Sequence, residues 1–308
     1  MKCAYHGCLV IGQLICFSLQ SQYYFSANNK PEPELLWELG ASIGVMNCLT
    51  DIGGKNGAGK KFIKDINWNH TQLGGGIFLS ATWQSLFALR LGVLAGQVNA
   101  SDEVLKNSDG IARNRYLRNL HFRSNIIELT VMSELHPLAL RSSETNLPLF
   151  SPYLAGGIGL FSFNPQARLN NTWVDLRPLH TEGQGFTEYP DRSLYKPTSW
   201  CIPLGAGIKY DAAGLVNIRF EICYRITGTD YLDDVSRQYI DPALFSKYLS
   251  ATGAGLASKL ADRSAEIPGG QKNNSNAIRG NPSNKDAFFS GLLKISLALG
   301  RIQRKQVW

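Results

Sequence analysis

The chain has 308 residues, 44% of them hydrophobic, with a formal net charge of +7 at pH 7. That length suits one large domain, and no low-complexity linker divides it. No apolar run reaches the roughly 18 residues of a spanning helix, and the basic residues are dispersed without a basic helix or aromatic RNA motif, which argues against a helical membrane protein and against a nucleic-acid binder.

Residues 1–21 read as an export signal. Lys2 supplies the positive start, Cys8 to Leu19 form an apolar stretch too short to span, and cleavage is expected after Ser21. Ile15, not a small residue, precedes Cys16, which disfavours lipidation. Cys3, Cys8 and Cys16 would leave with the signal. Cys48, Cys201 and Cys223 remain, and an odd count is not a disulfide framework.

From Leu35 to Met46, Trp37, Leu39, Ala41, Ile43 and Val45 alternate with Glu38, Gly40, Ser42 and Gly44. A Gly-, Lys- and Asn-rich loop follows. In it Gly54-Lys55-Asn56-Gly57-Ala58-Gly59-Lys60-Lys61 nearly matches a phosphate-binding loop, but Lys61 stands where Ser or Thr is needed to hold magnesium. The second strand, Leu73 to about Trp83, turns over Gln84-Ser85 into the third, in which Phe87, Leu89, Leu91, Val93 and Ala95 oppose Ala88, Arg90 and Gly92. A polar loop from about Asn99 leads to Phe122–Leu135, with Ile127, Leu129 and Val131 opposite Glu128, Thr130 and Glu134. The fifth strand is Tyr153 to about Phe163, and a long loop carries the chain to the sixth, Trp200–Tyr210. A tight turn at Asp211–Gly214 opens the clearest strand of all. There Val216, Ile218, Phe220, Ile222, Tyr224 and Ile226 form one face, and Asn217, Arg219, Glu221, Cys223, Arg225 and Thr227 the other. The longest loop, from Gly228 to Lys285, precedes the last strand, Phe288–Leu299.

These strands predict an all-β fold, an eight-stranded antiparallel up-and-down transmembrane β-barrel with long extracellular loops, occupying residues 22–308. The strands pair a continuous apolar face with a charged one, and long and short connections alternate. A soluble barrel would reverse the faces. Both termini then lie in the periplasm, and aromatics near strand ends (Trp37, Trp83, Tyr153, Phe163, Trp200, Tyr210 and Tyr224) suit interfacial girdles. An eight-stranded interior is filled by side chains. Arg90, Glu128, Glu134, Lys209, Arg219, Glu221, Arg225 and Lys294 are its expected ion network, so no wide pore is expected.

No catalytic, cofactor or metal constellation stands out. His121 with Ser124, or His180 with Asp175, lacks a third orienting group. Asp230, Asp233, Asp234 and Asp241 have hard-cation chemistry but no EF-hand spacing, and a solvated acidic loop, or one pairing with Arg237 and Arg263, is the default. If residues summing to about 425 face each other across the turn, Cys201 and Cys223 are opposite, as a cross-strand disulfide or as two free thiols, the latter preferred.

The loops carry a resemblance. Trp37-Glu38-Leu39-Gly40, Arg118-Asn119-Leu120 with Phe122-Arg123-Ser124, Thr181-Glu182-Gly183-Gln184-Gly185, Thr229 to Ser236, Leu260-Ala261-Asp262-Arg263-Ser264 and Arg279-Gly280-Asn281-Pro282 follow in order. In these the chain resembles the PorG-like outer-membrane family of the type IX secretion system of Bacteroidetes-type bacteria. The resemblance implies a non-enzymatic outer-membrane barrel, without cofactor, associated with a periplasmic ring made of a lipoprotein and its partner. That ring serves protein secretion and, in some relatives, gliding motility. Within the resembling loops Thr181, Glu182, Gly183, Asp230, Tyr231, Asp233, Asp234, Asp262, Arg263, Arg279 and Asn281 are the interaction candidates. Two features depart from the family: the cysteines, and a basic tail from Arg301 to Trp308. A stand-alone surface barrel binding ligands or adhesion targets through its loops is the alternative.

Overall fold

The computed structural model describes residues 35–54, 68–141, 149–212 and 215–299. The expected signal segment, the phosphate-loop-like run beyond Gly54 and the basic tail lie outside these residues. Eight strands follow in order: β1 (Leu35–Leu49), β2 (Gln72–Trp83), β3 (Phe87–Ser101), β4 (His121–Leu135), β5 (Phe150–Leu169), then, after a short β6 (Thr172–Asp175), β7 (Thr198–Asp211), β8 (Val216–Thr227) and β9 (Ala287–Leu299). All pairings are antiparallel. The sheet runs β4-β3-β2-β1-β9-β8-β7-β5-β6, and β4 also pairs with β5. That last pairing closes the sheet into an eight-stranded barrel and leaves β6 outside the ring. β6 folds back on β5 over Asn170 and Asn171, at φ 48° and 66°. Gln84 and Ser85, at φ 48° and 56°, make the same left-handed turn between β2 and β3. Two successive positive-φ residues match the natural twist of a hairpin.

The strand faces sort as their alternation requires. Leu39, Ile43, Ile77, Leu91, Val93, Leu129, Val131, Leu160, Leu204, Phe220, Ile222 and Leu293 are exposed around the outside. Glu38, Arg90, Glu128, Glu134, Arg219, Glu221 and Arg225 are buried inside. A continuous apolar belt around a charged interior is a surface that only lipid covers favourably. Aromatics border the belt. Trp83 and Phe87 meet at 6.4 Å, and Phe150 stacks on Tyr210 at 4.8 Å, at the end that carries the short turns. Trp200 is exposed at the loop end. Tyr153 and Phe163 do not join these girdles. In β5 the odd-numbered residues face inward, and both rings are buried.

Glycine serves close packing inside the barrel. A Cβ on Gly74 would sit 2.5 Å from Met46 Sδ, so the bare backbone of β2 gives that side chain its place inside the barrel.

The second, third and fourth connections on the loop end are structured among the described residues. The 102–105 turn and α1 (Ile111–Arg118) fill the second, with Asn119 closing the helix in the left-handed conformation. The fourth holds α2 (Ala243–Tyr248) and α3 (Ala251–Leu260). Ser250 caps α3 by accepting the Gly253 N–H, and Ala254, Ala257 and Leu260 bury one helical stripe. That stripe packs with Leu176, Leu179, Phe186, Ile240 and Phe245 into a satellite core above the barrel.

Candidate functional site

The interior has three layers. Nearest the turns lies an ion network. Arg219, fully buried, donates to Glu38 at 2.5 Å and to Glu134 at 2.8 Å. Glu38 also accepts from Lys209 at 2.5 Å and from the Ser296 hydroxyl at 2.8 Å. Arg90 pairs with both Glu134 and Glu221, and Lys294 reaches Glu221 at 2.6 Å. Phe78 lies among these cations, its ring centroid 5.5–5.9 Å from Lys294, Arg219 and Arg90. Arg225 and Glu128 form a separate pair further up at 3.1 Å, with Ser290 taking a second hydrogen bond from Arg225 at 2.6 Å. All eight expected lumen charges therefore point inward and are paired. Glu38 and the Tyr153 hydroxyl, which donates to Glu221 at 2.8 Å, complete the set. The alternation already placed Glu38 on the inner face. Tyr153 needed the register of β5.

Above the charges is an apolar plug: Met46, Leu94, Phe122, Ile126, Phe161, Phe288 and Leu292, joined from the loops by Ile52, Leu232 and Val235. Charges below and packed rings above fill the bore.

Over the plug the loops are tied into a knot. Arg118 (second loop) grips Asp102 with two hydrogen bonds of 2.8–2.9 Å and donates to the Arg279 carbonyl at 2.6 Å and the Asp51 carbonyl at 2.7 Å. Arg279 (fourth loop) pairs with Glu182 (third loop) at 2.9 Å and donates to the carbonyls of Asp234 and Ala261. Glu182 also accepts the backbone N–H of Ser236 and Arg237. Thr181 donates to Asp234 at 2.5 Å and Tyr195 does so at 2.7 Å. Asp233 accepts the N–H of Ile52 and of Val235, and Asp286 accepts that of Leu232. Burial pushes several carboxyls up: Asp51 and Asp234 to about 6, Asp230 to about 7, and Asp233 and Asp286 well above the usual carboxylate range.

Of the interaction candidates, Thr181, Glu182, Gly183, Asp230, Asp233, Asp234 and Arg279 are buried. Gly183 is left-handed (φ 72°), with Tyr189 where a Cβ would stand. Tyr231, Asp262 and Arg263 are half-buried, and Asn281 is exposed. Asp262 ties Ser264 and Asn273, while Arg263 pairs with Glu266 at 2.7 Å. Arg237 pairs with Asp191, and Asp241 caps the N–H of Ala243. The carboxylates of the acidic stretch accept from Ile52, Val235, Thr181, Tyr195 and Ser236, which makes the stretch a structural clasp. Facing its open side, between 191–199 and 228–237, lies a polar cleft of about 340 Å³.

The sequence pairs His121 with Ser124 and His180 with Asp175 do not meet. His121 accepts the Arg168 N–H, Ser124 accepts the Asn164 N–H, and His180 lies 2.5 Å from the Gln184 carbonyl. A different trio converges at the turn end. His136 Nδ1 is 3.1 Å from Ser151 Oγ, and His136 Nε2 is 3.5 Å from Glu134. The second distance is too long for a hydrogen bond, and Glu134 is already held by Arg90 and Arg219.

Cys201 and Cys223 are the two free inward thiols expected, but not in the expected register. The β7–β8 register sums to 428, placing Cys201 opposite Thr227 and Cys223 opposite Gly205. The turn is wider than a two-residue hairpin, which slides the strands relative to the 425 register. Both thiols are free and face inward, and Cys201 donates to Glu128 at 3.3 Å.

Neither a family model nor a curated protein matches the chain. Among solved structures it is similar to three barrels, each at a TM-score of 0.34. Ail of Yersinia pestis is 9% identical, over 85% of this chain and 99% of Ail. Neisserial surface protein A is 8% identical, over 86% and 97%. The outer membrane protein AlkL is 10% identical, over 92% and 100%.

Proposed function

We propose that this chain is a non-enzymatic outer-membrane barrel that anchors or connects a type IX protein secretion apparatus to the outer membrane, through a periplasmic ring of a lipoprotein and its partner. One observation carries the reading. Most of the stretches behind the PorG-like resemblance are far apart in sequence, yet they supply the knot: Arg118, Thr181, Glu182, Asp234, Ala261 and Arg279 bond to one another. In this chain the stretches that carry the resemblance thus meet in one cap.

In this reading the cap faces outward and the ring docks on the turn end. There the β4–β5 connection offers Leu138 and Leu140, the latter 71% exposed, beside the charged mouth. The His136–Ser151 pair lacks an acid poised behind it, because Glu134 lies 3.5 Å from His136 and is held by Arg219.

Cross-linking in intact outer membrane followed by pull-down tests the partner. Ring components should be recovered with the chain, and Leu140→Asp should reduce their yield. Recovery of the barrel alone, or normal cargo secretion in a deletion strain, would refute the secretion role. Normal secretion would favour the second reading, a stand-alone surface barrel, for which the polar cleft in the cap speaks.

A further inference from the structure

The cleft takes no part in the lumen network or in docking at the turn end. It opens in the cap between residues 191–199 of the third loop and residues 228–237 and 282–285 of the fourth. Its 340 Å³ lies within the range of small-ligand sites.

Asp230 stands in its wall, 3% exposed. One carboxylate oxygen accepts the Ser236 hydroxyl at 2.6 Å. The other, Oδ1, is buried and has no hydrogen-bond partner among the described residues.

Tyr231 lies next to it and ends a pile of rings. Phe163 stacks on Tyr195 at 6.0 Å, and Tyr195 on Tyr231 at 4.7 Å and 9°. A tyrosine held firmly through one face is a preorganised platform on the other, which suits the C–H face of a sugar ring.

The charges on the lining are unevenly committed. Asp191 is held by Arg237 at 2.5 Å. Arg192 is spent on the carbonyls of Glu182 and Gln238 and on the Gln238 side chain. Lys196 and Lys285 line the cleft and are exposed. Their ammonium groups give the opening a positive field that favours an anion.

We propose that this cleft binds an acidic saccharide. The ring lies on Tyr231, and a carboxylate or sulfate substituent meets Lys196 and Lys285. The site is independent of the secretion reading, because it lies on the loop end and the ring partner docks at the turn end.

The test uses the full-length protein in detergent micelles and isothermal titration with a hyaluronan tetrasaccharide. Cellotetraose serves as the neutral match and an acidic hexapeptide as the protein-like competitor. The acidic tetrasaccharide should bind, with cellotetraose weaker by about tenfold or more, the worth of a charge-assisted hydrogen bond. The double variant Lys196→Ala, Lys285→Ala touches only exposed side chains, so it should keep the heat-modifiable barrel and lose a similar factor. Tyr231→Leu should weaken both sugars. Equal binding of cellotetraose, tighter binding of the peptide, full competition by acetate, or unchanged affinity in the lysine variant would each overturn the assignment. So would absence of binding at millimolar tetrasaccharide.

Discussion

Removal of Arg219 is the sharpest perturbation of the barrel. Its guanidinium is fully buried and bridges Glu38 at 2.5 Å and Glu134 at 2.8 Å. Arg219→Met keeps the volume and leaves two carboxylates short of a partner. Breaking a buried pair costs about 3–5 kcal/mol. Here the lower end applies, because Glu38 keeps Lys209 and Ser296 and Glu134 keeps Arg90. The expected loss is therefore about 3 kcal/mol. With a urea slope of about 2–3 kcal/mol per molar, the unfolding midpoint should fall by about 1–1.5 M. The assay is urea unfolding in lipid vesicles, followed by tryptophan fluorescence. A double-mutant cycle with Glu134→Gln measures how much of the loss is the coupling between the two residues. A single variant whose midpoint stays within about 0.3 M of the parent would refute the claim that this network holds the lumen.

Three further outcomes follow from the same geometry. Burial raises the carboxyls of Asp51, Asp230, Asp233, Asp234 and Asp286. Raised groups stabilise fully below about pH 4, their unfolded value; Asp51, Asp234 and Asp230 lose that contribution as pH rises through about 6 to 7. The cap should thus be looser at pH 8 than at pH 5. Hydrogen exchange of residues 229–240, corrected for intrinsic rate, measures this, and greater protection at pH 8 would contradict it. Cys201 and Cys223 should stay unlinked under copper-catalysed oxidation, since each lies opposite another residue. An intact-mass loss of two hydrogens within the monomer would show a different register. A fluorophosphonate probe should leave Ser151 unlabelled, and labelling that Ser151→Ala abolishes would establish a reactive serine.

The barrel was legible because lipid and lumen impose opposite polarities on alternate residues. β8 declares this over its whole length, and the inward charges it names are the ones found paired. What escaped depended on contacts between distant segments. Tyr153 and Phe163 looked like girdle residues until the register of β5 turned them inward. α3 is ten residues of mostly small side chains, and its one buried stripe has meaning only against Phe186, Ile240 and Phe245. The Ser250 cap with Ala254, Ala257 and Leu260 behind it was the available signal. The acidic run Asp230 to Asp234 read as solvated for the same reason. Its donors, Ile52, Thr181 and Tyr195, come from two other loops.

The central claim is that the outer face of the strands meets lipid and the cap meets water. Nitroxide labels at Leu39, Ile77, Ile222 and Leu293, placed one at a time in a cysteine-free background reconstituted in vesicles, test it directly, with Asn281 in the cap as the aqueous reference. Frequent collision with dissolved oxygen and little with an aqueous nickel complex is expected at the four strand positions, and the reverse at Asn281. Nickel accessibility at the strand positions equal to that at Asn281 would contradict it.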